Sequence, residues 1–287
     1  MDEAQVHDGQ PRVGDPDPRS NDPERRTDDR DSRAHDRLSG QVPPGHYALK
    51  QIFSRSAIIA WSHRSRFRLA RQLLEPHKGE RLLDYGCGDG TLLAEVADLF
   101  PDAIGADPDV AQIEDCRRRF LGTISFATMR ELGDAAHDHA YGVVTCMEVL
   151  EHCLDYDLKK AIRGLYRLVA PGGTVIISVP IEIGPALLGK HVMRTLAGWR
   201  SIGDYKHRER YTLAEVCRMM FATERTAISR PVHLNSQGPF HVHKGFNWRM
   251  LRTELRSTFD VRETHFSPFD RFDGLLSSQA WFVCRRA

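Results

Sequence analysis

The sequence predicts an α/β protein built on a doubly wound, mainly parallel sheet. Three observations predict it. Short apolar runs alternate with helical stretches between residues 81 and 179, the rhythm of βαβ units. Those runs lack apolar–polar alternation, as expected of strands covered on both faces. The first run ends in Gly86-Cys87-Gly88-Asp89-Gly90, at the strand-to-helix turn where open α/β sheets bind ligands.

The elements follow in order. Ala57–Leu74 reads as a helix with Ile58, Ile59, Trp61, Phe67, Leu69, Leu73 and Leu74 as its apolar residues, stopped by Pro76 and Gly79. Arg81–Tyr85 is the first strand. Thr91–Phe100 is helical, with Leu92, Leu93, Val96 and Leu99 on one face. Ala103–Asp107 is the second strand, closed by Pro108. The helix Val110–Phe120 ends in Arg117, Arg118 and Arg119, charges that suit a helix C-terminus. Thr123–Ala127, Tyr141–Met147 and Thr174–Val179 supply three more strands. Leu158–Leu168 is a helix between the last two, stopped by Pro171-Gly172-Gly173. Residues 181–246 break the rhythm with two helical candidates, Pro185–Gly198 and Thr212–Phe221, and a loop rich in His, Asn, Gly and Pro. A long insertion there reads as a substrate cap. A helix at Trp248–Phe259 and strands at Val261–His265 and Gln279–Cys284 complete the chain.

Composition sets the limits. The 287 residues carry a net charge of +1, which excludes a broadly basic nucleic-acid binder. That average hides a split: residues 1–40 hold 11 acids against 7 arginines, and the rest 28 acids against 33 bases. With so few apolar residues, 1–44 reads as a disordered polar tail and 45–287 as one domain. No apolar stretch suits a signal peptide or a membrane span. The six cysteines form no CxxC pair and read as reduced thiols, so a cytoplasmic protein is expected.

The glycine loop carries the strongest functional signal. Its spacing is GxGxG, with Asp84 two positions before the first glycine and Asp89 within the loop. Asp107 ends the next strand 17 residues beyond Gly90, where a carboxylate can accept both hydroxyls of a ribose. Two carboxylates would repel a pyrophosphate and favour a ligand bearing ammonium and sulfonium charges. That points to S-adenosylmethionine. An NAD(P) oxidoreductase is the alternative of another class.

Residues 80–180 resemble the core of the class I S-adenosylmethionine-dependent methyltransferases. Leu82–Gly90 is similar to the first motif, Ile104–Asp107 to the ribose-binding strand, Tyr141–His152 to the fourth-strand region, and Leu168–Pro180 to the strand entered through Pro-Gly-Gly. The resemblance implies a Rossmann-like seven-stranded sheet whose last pair is antiparallel. It also implies a cofactor site of Asp84, Gly86, Cys87, Gly88, Gly90, Asp107, Pro108, Thr128, Met147 and Glu148. The family often places an acid after the third strand for the adenine; here Phe126-Ala127-Thr128-Met129 stands there, and Thr128 or the Met129 backbone is the substitute.

Two clusters are candidates for handling the acceptor. Glu148, Glu151 and His152 follow the fourth strand at helical spacing, with Glu148 expected to face His152. His241 and His243 lie in a loop before Phe246 and Trp248. His152, His243 and His241 are therefore the catalytic candidates, with His152 as a general base. Two Glu and two His could hold a divalent metal, similar to the site of small-RNA 3′-end methyltransferases, but no metal is assigned. The expected partner is a small molecule, sugar- or lipid-linked acceptors included, methylated at oxygen. Nucleic acid is not expected, and metal-assisted methylation of an RNA 3′ end is the alternative.

Overall fold

The computed structural model describes residues 45, 57–122, 124–187, 211–235, 237–272 and 274–287. The expected polar tail and most of the Pro185–Gly198 candidate lie outside them. The chain begins with α1 (Ala57–Leu74), then β1 (Leu82–Tyr85), α2 (Thr91–Val96), β2 (Ala103–Asp107), α3 (Val110–Phe120) and β3 (Ser125–Thr128). It continues with β4 (Tyr141–Met147), α4 (Asp155–Leu168), β5 (Val169–Pro180), α5 (Leu213–Met220), β6 (Val232–Asn235) and β7 (Gly238–His241). It closes with α6 (Trp248–Arg256), β8 (Asp260–Ser267) and β9 (Gln279–Arg285). Seven strands form one sheet in the order β3-β2-β1-β4-β5-β9-β8. The first five run parallel, and β9 pairs antiparallel with both β5 and β8.

Side-chain alternation along the strands builds two cores. Leu82, Val143, Ile176 and Trp281 face α1, α2 and α3 and pack with Phe67, Leu93 and Ile113. Leu83, Val144, Ile177 and Phe282 face the other way and pack with Ile162 and Leu165 of α4 and Leu251 and Leu255 of α6. Helices on both faces explain why the strands read as continuous apolar runs.

The crossover from β3 to β4 uses two single 3-10 turns in place of a helix. In the expected cap, α5 starts at a capping box in which Thr212 and Glu215 satisfy each other's backbone amides. The hairpin of β6 and β7 falls where the sequence predicts a loop. Its strands are short and β6 is wholly exposed, so no buried apolar pattern announces it.

Candidate active site

β1 delivers the glycine loop to the C-terminal edge of the sheet. Gly86 and Gly88 both have positive φ, 82° and 52°. A Cβ on Gly86 would lie 2.3 Å from Val149 Cγ2, so the missing side chain lets the segment after β4 close onto the loop. A Cβ on Gly88 would meet nothing within 4 Å. Gly88 thus borders open space that a ligand can occupy. Gly90 caps α2 and packs against Phe120.

Carboxylates surround that space. Asp107 accepts the Gly88 amide at 3.0 Å on one oxygen and the Asp109 amide at 2.9 Å on the other. Each oxygen keeps a lone pair for a ligand hydroxyl. Burial raises the Asp107 carboxyl, and the two amides oppose the rise. Asp84 is buried and accepts the Thr145 hydroxyl at 2.7 Å. Burial pushes it up to about 7, with the Asp107 charge acting the same way and Thr145 opposing. Asp89 is also buried and accepts both the amide and the hydroxyl of Thr91, fixing the first turn of α2. Gly45 lies against it, since a Cβ there would sit 2.3 Å from Asp89 Oδ2.

Other expected cofactor residues fall around this loop in different ways. Pro108 is exposed next to Asp107. The Cys87 side chain is buried, its sulfur close over Gly105, and burial raises the thiol far above its usual range. Only the Cys87 backbone is therefore suited to a ligand. Thr128 is tied up locally: its amide donates to Glu131 Oε2 at 2.6 Å and its hydroxyl accepts the Glu131 amide at 3.2 Å.

The Glu148–His152 segment does not form the expected helix. Glu148 adopts φ 56°, followed by a single 3-10 turn over Leu150–His152, and α4 starts only at Asp155. Val149 fills the notch at Gly86 and Leu150 is fully buried, which turns the chain before a helix can start. Glu148 therefore does not face His152 across a helical turn. It accepts the Ser178 hydroxyl at 3.4 Å and lies 3.6 Å from Arg66 Nη2. Met147, half-buried, immediately precedes it.

Glu151, His152 and His243 come together. Each offers one ligand atom, and the three atoms lie within 4.8 Å of one another. Both histidine Nε2 atoms are 3.8 Å from Glu151 Oε1, beyond hydrogen-bond reach. The Glu151 side chain is fully buried and neither oxygen accepts a hydrogen bond among the described residues. Burial, then the Glu148 charge, raises its carboxyl well above the ordinary range. His152 Nδ1 lies 2.9 Å from the His241 carbonyl, which can only accept, so Nδ1 carries the hydrogen and, in the neutral ring, Nε2 keeps its lone pair. His241 does not join the cluster: its ring is buried and donates through Nδ1 to the Pro231 carbonyl at 2.9 Å. Its main-chain oxygen, not its ring, meets His152.

A profile described as "Methyltransferase domain" matches residues 31–224. The chain belongs to the class I S-adenosylmethionine-dependent methyltransferases. S-adenosylmethionine is the cofactor of this methyltransferase, which sets the nicotinamide alternative aside. Over 142 residues it is 31% identical to the ubiquinone biosynthesis O-methyltransferase of Mesorhizobium japonicum, covering 46% of this chain and 55% of that protein. Over 156 residues it is 32% identical to the protein of the same name from Aeromonas salmonicida, covering 49% and 60%. The chain thus spans about half the length of these relatives. Among solved structures it is similar to an S-adenosylmethionine-dependent methyltransferase from Mesorhizobium loti, at 14% identity and TM-score 0.46, covering 77% of this chain and 98% of that one. It is also similar to the N-methyltransferase NodS of Bradyrhizobium japonicum with S-adenosyl-L-homocysteine, at 13% identity and TM-score 0.48, covering 88% and 98%.

Two residues beside the candidate site carry no motif singled out in the sequence. Arg66 is 8% exposed and reaches from α1 to Glu148. The signal was present, because Arg66 falls on the stripe of Ala60, His63, Phe67, Ala70 and Leu74 that α1 turns inward. Glu131 supplies an acid after β3, held by Thr128 and by Arg117 at 2.9 Å. Thr128 and Glu131 have the T-x-x-E spacing of a capping box.

Proposed function

We propose that this methyltransferase O-methylates a small-molecule acceptor and that His152 takes the acceptor's hydroxyl proton. The observation that carries this reading is the Nδ1 bond of His152 to the His241 carbonyl, which leaves Nε2 as a proton acceptor. The names of the relatives support oxygen as the target.

S-adenosylmethionine supplies an electrophilic methyl group on sulfonium. On this reading Asp107 accepts the ribose hydroxyls, and the backbone of Gly86, Cys87 and Gly88 lines the open cradle. Gly90 sets the start of α2, with Pro108, Thr128 and Met147 flanking the cradle. Asp84 and Glu148 favour the cationic end of the cofactor, and Arg66 takes its carboxylate. His152 Nε2 would take the hydroxyl proton as the acceptor oxygen receives the methyl group. Six free thiols fit a cytoplasmic setting.

A second reading is favoured by Glu151, whose buried oxygens lack hydrogen bonds. Glu151, His152 and His243 would hold a divalent cation, which supplies positive charge that acidifies an acceptor hydroxyl. The test is a turnover screen with labelled cofactor against phenols, oligosaccharides, lipid-linked acceptors and short RNAs, with and without EDTA. Methylation of a hydroxylated small molecule, lost in His152→Asn, is the expected result. Transfer to RNA alone overturns it. Loss of turnover in EDTA, restored by one divalent ion, selects the second reading.

A further inference from the structure

Arg230 stands between α5 and β6, outside every motif recognised above. Its Nη2 donates both to the Glu151 carbonyl and, at 3.0 Å, to the Val242 carbonyl. Its guanidinium lies over the Phe246 ring at 5.1 Å. The next residue, Pro231, accepts the His241 ring nitrogen. Three segments distant in sequence therefore meet at one planar cation: the turn bearing Glu151 and His152, the 230–231 stretch, and the loop bearing His241 and His243. A planar, delocalised donor can stack on a ring and bond two carbonyls at once.

The consequence concerns the imidazole of His152. Its Nδ1–H tautomer exists because the His241 carbonyl sits 2.9 Å away. That carbonyl immediately precedes Val242, and His152 immediately follows Glu151. The two oxygens that Arg230 joins thus belong to the chain neighbours of the two partners in the histidine–carbonyl bond.

We propose that Arg230 is the positioning residue of the acceptor site: by joining the Glu151 and Val242 carbonyls it keeps His152 against the His241 carbonyl, with Nε2 open to the acceptor. This rests on the reading of His152 given above. On this reading Arg230 acts on the acceptor through the His152 tautomer, as a positioning residue.

The experiment is two-bond 1H–15N correlation of imidazole nitrogens in the full chain labelled at histidine, with His152→Asn used to assign the signal. The wild type is expected to show His152 protonated at Nδ1 and bare at Nε2. Arg230→Met should move the ring toward the Nε2–H form and lower kcat at least tenfold. KM for S-adenosylmethionine should stay within twofold, and Arg230→Lys should recover part of both losses. An unchanged His152 signal in Arg230→Met, or a wild-type ring protonated at Nε2, overturns the proposal. If Arg230→Met does not fold, Arg230→Gln carries the same readout. Wild-type kcat in His152→Asn would overturn the reading of His152 as the proton acceptor, and the tautomer spectra would still decide the role of Arg230.

Discussion

Val149 occupies the space that a side chain on Gly86 would need: a Cβ there would lie 2.3 Å from Val149 Cγ2. The loop after β1 and the segment after β4 are thereby locked together, and the proposed cofactor and acceptor sites share that contact. Gly86→Ala should destabilise the fold by about 2–4 kcal/mol, combining a left-handed backbone with an overpacked contact. Thermal and denaturant unfolding would measure it.

Gly88→Ala is the contrasting case. Its Cβ would meet no protein atom, so the loss of stability should be only about 1 kcal/mol, from the positive φ alone. The new methyl group would instead occupy the cofactor's space. Calorimetry with S-adenosylhomocysteine should find binding abolished in a protein that melts close to the wild type.

Asp107→Ala should weaken S-adenosylhomocysteine by about 1–3 kcal/mol through lost charge-assisted hydrogen bonds. It should do so with little change in affinity for the acceptor. Equal weakening of both ligands would show that the loop itself had moved.

Asp84 links pH to both stability and binding, with opposite signs. The folded carboxyl titrates near 7 and the unfolded one near 3.8, so the folded protein holds the extra proton between these values. Stability without cofactor should therefore fall as pH rises from about 4 to about 7. The cationic cofactor prefers the carboxylate, so its affinity should rise over the upper part of that range and level off above it. Asp84→Asn should flatten both trends, as read by melting and calorimetry across pH.

His152→Asn should lower kcat by about 100-fold or more, the usual worth of a positioned general base. Cofactor affinity should be preserved, because His152 lies beyond the glycine loop. A parallel fall in cofactor affinity would place His152 in the cofactor site instead.

Most of the sheet was legible because its strands are buried on both faces. Tyr141–Met147 could be read to the residue, since almost every position is apolar or β-branched. The glycine loop was legible for a local reason: tight turns and close approaches demand glycine whatever the surroundings. The Glu148–His152 segment misled because its spacing matches a helix, while the contact that breaks the helix comes from Gly86, more than sixty residues away. His241 misled in another way. Its place beside His243 suggested a second reactive ring, yet the short β6–β7 hairpin turns that ring toward Pro231. Arg66 was hidden among four arginines of one helix, and only its position on the inward stripe set it apart.

The burial of Gly45 against Asp89 bears on where a working fragment of this protein can begin. A fragment cut at residue 57 would retain the whole described core and α1 intact. It would lose the one described neighbour that the polypeptide ahead of α1 sets against the carboxylate anchoring α2. The expected outcome is weaker binding of S-adenosylhomocysteine by that fragment than by the full chain, measured by calorimetry.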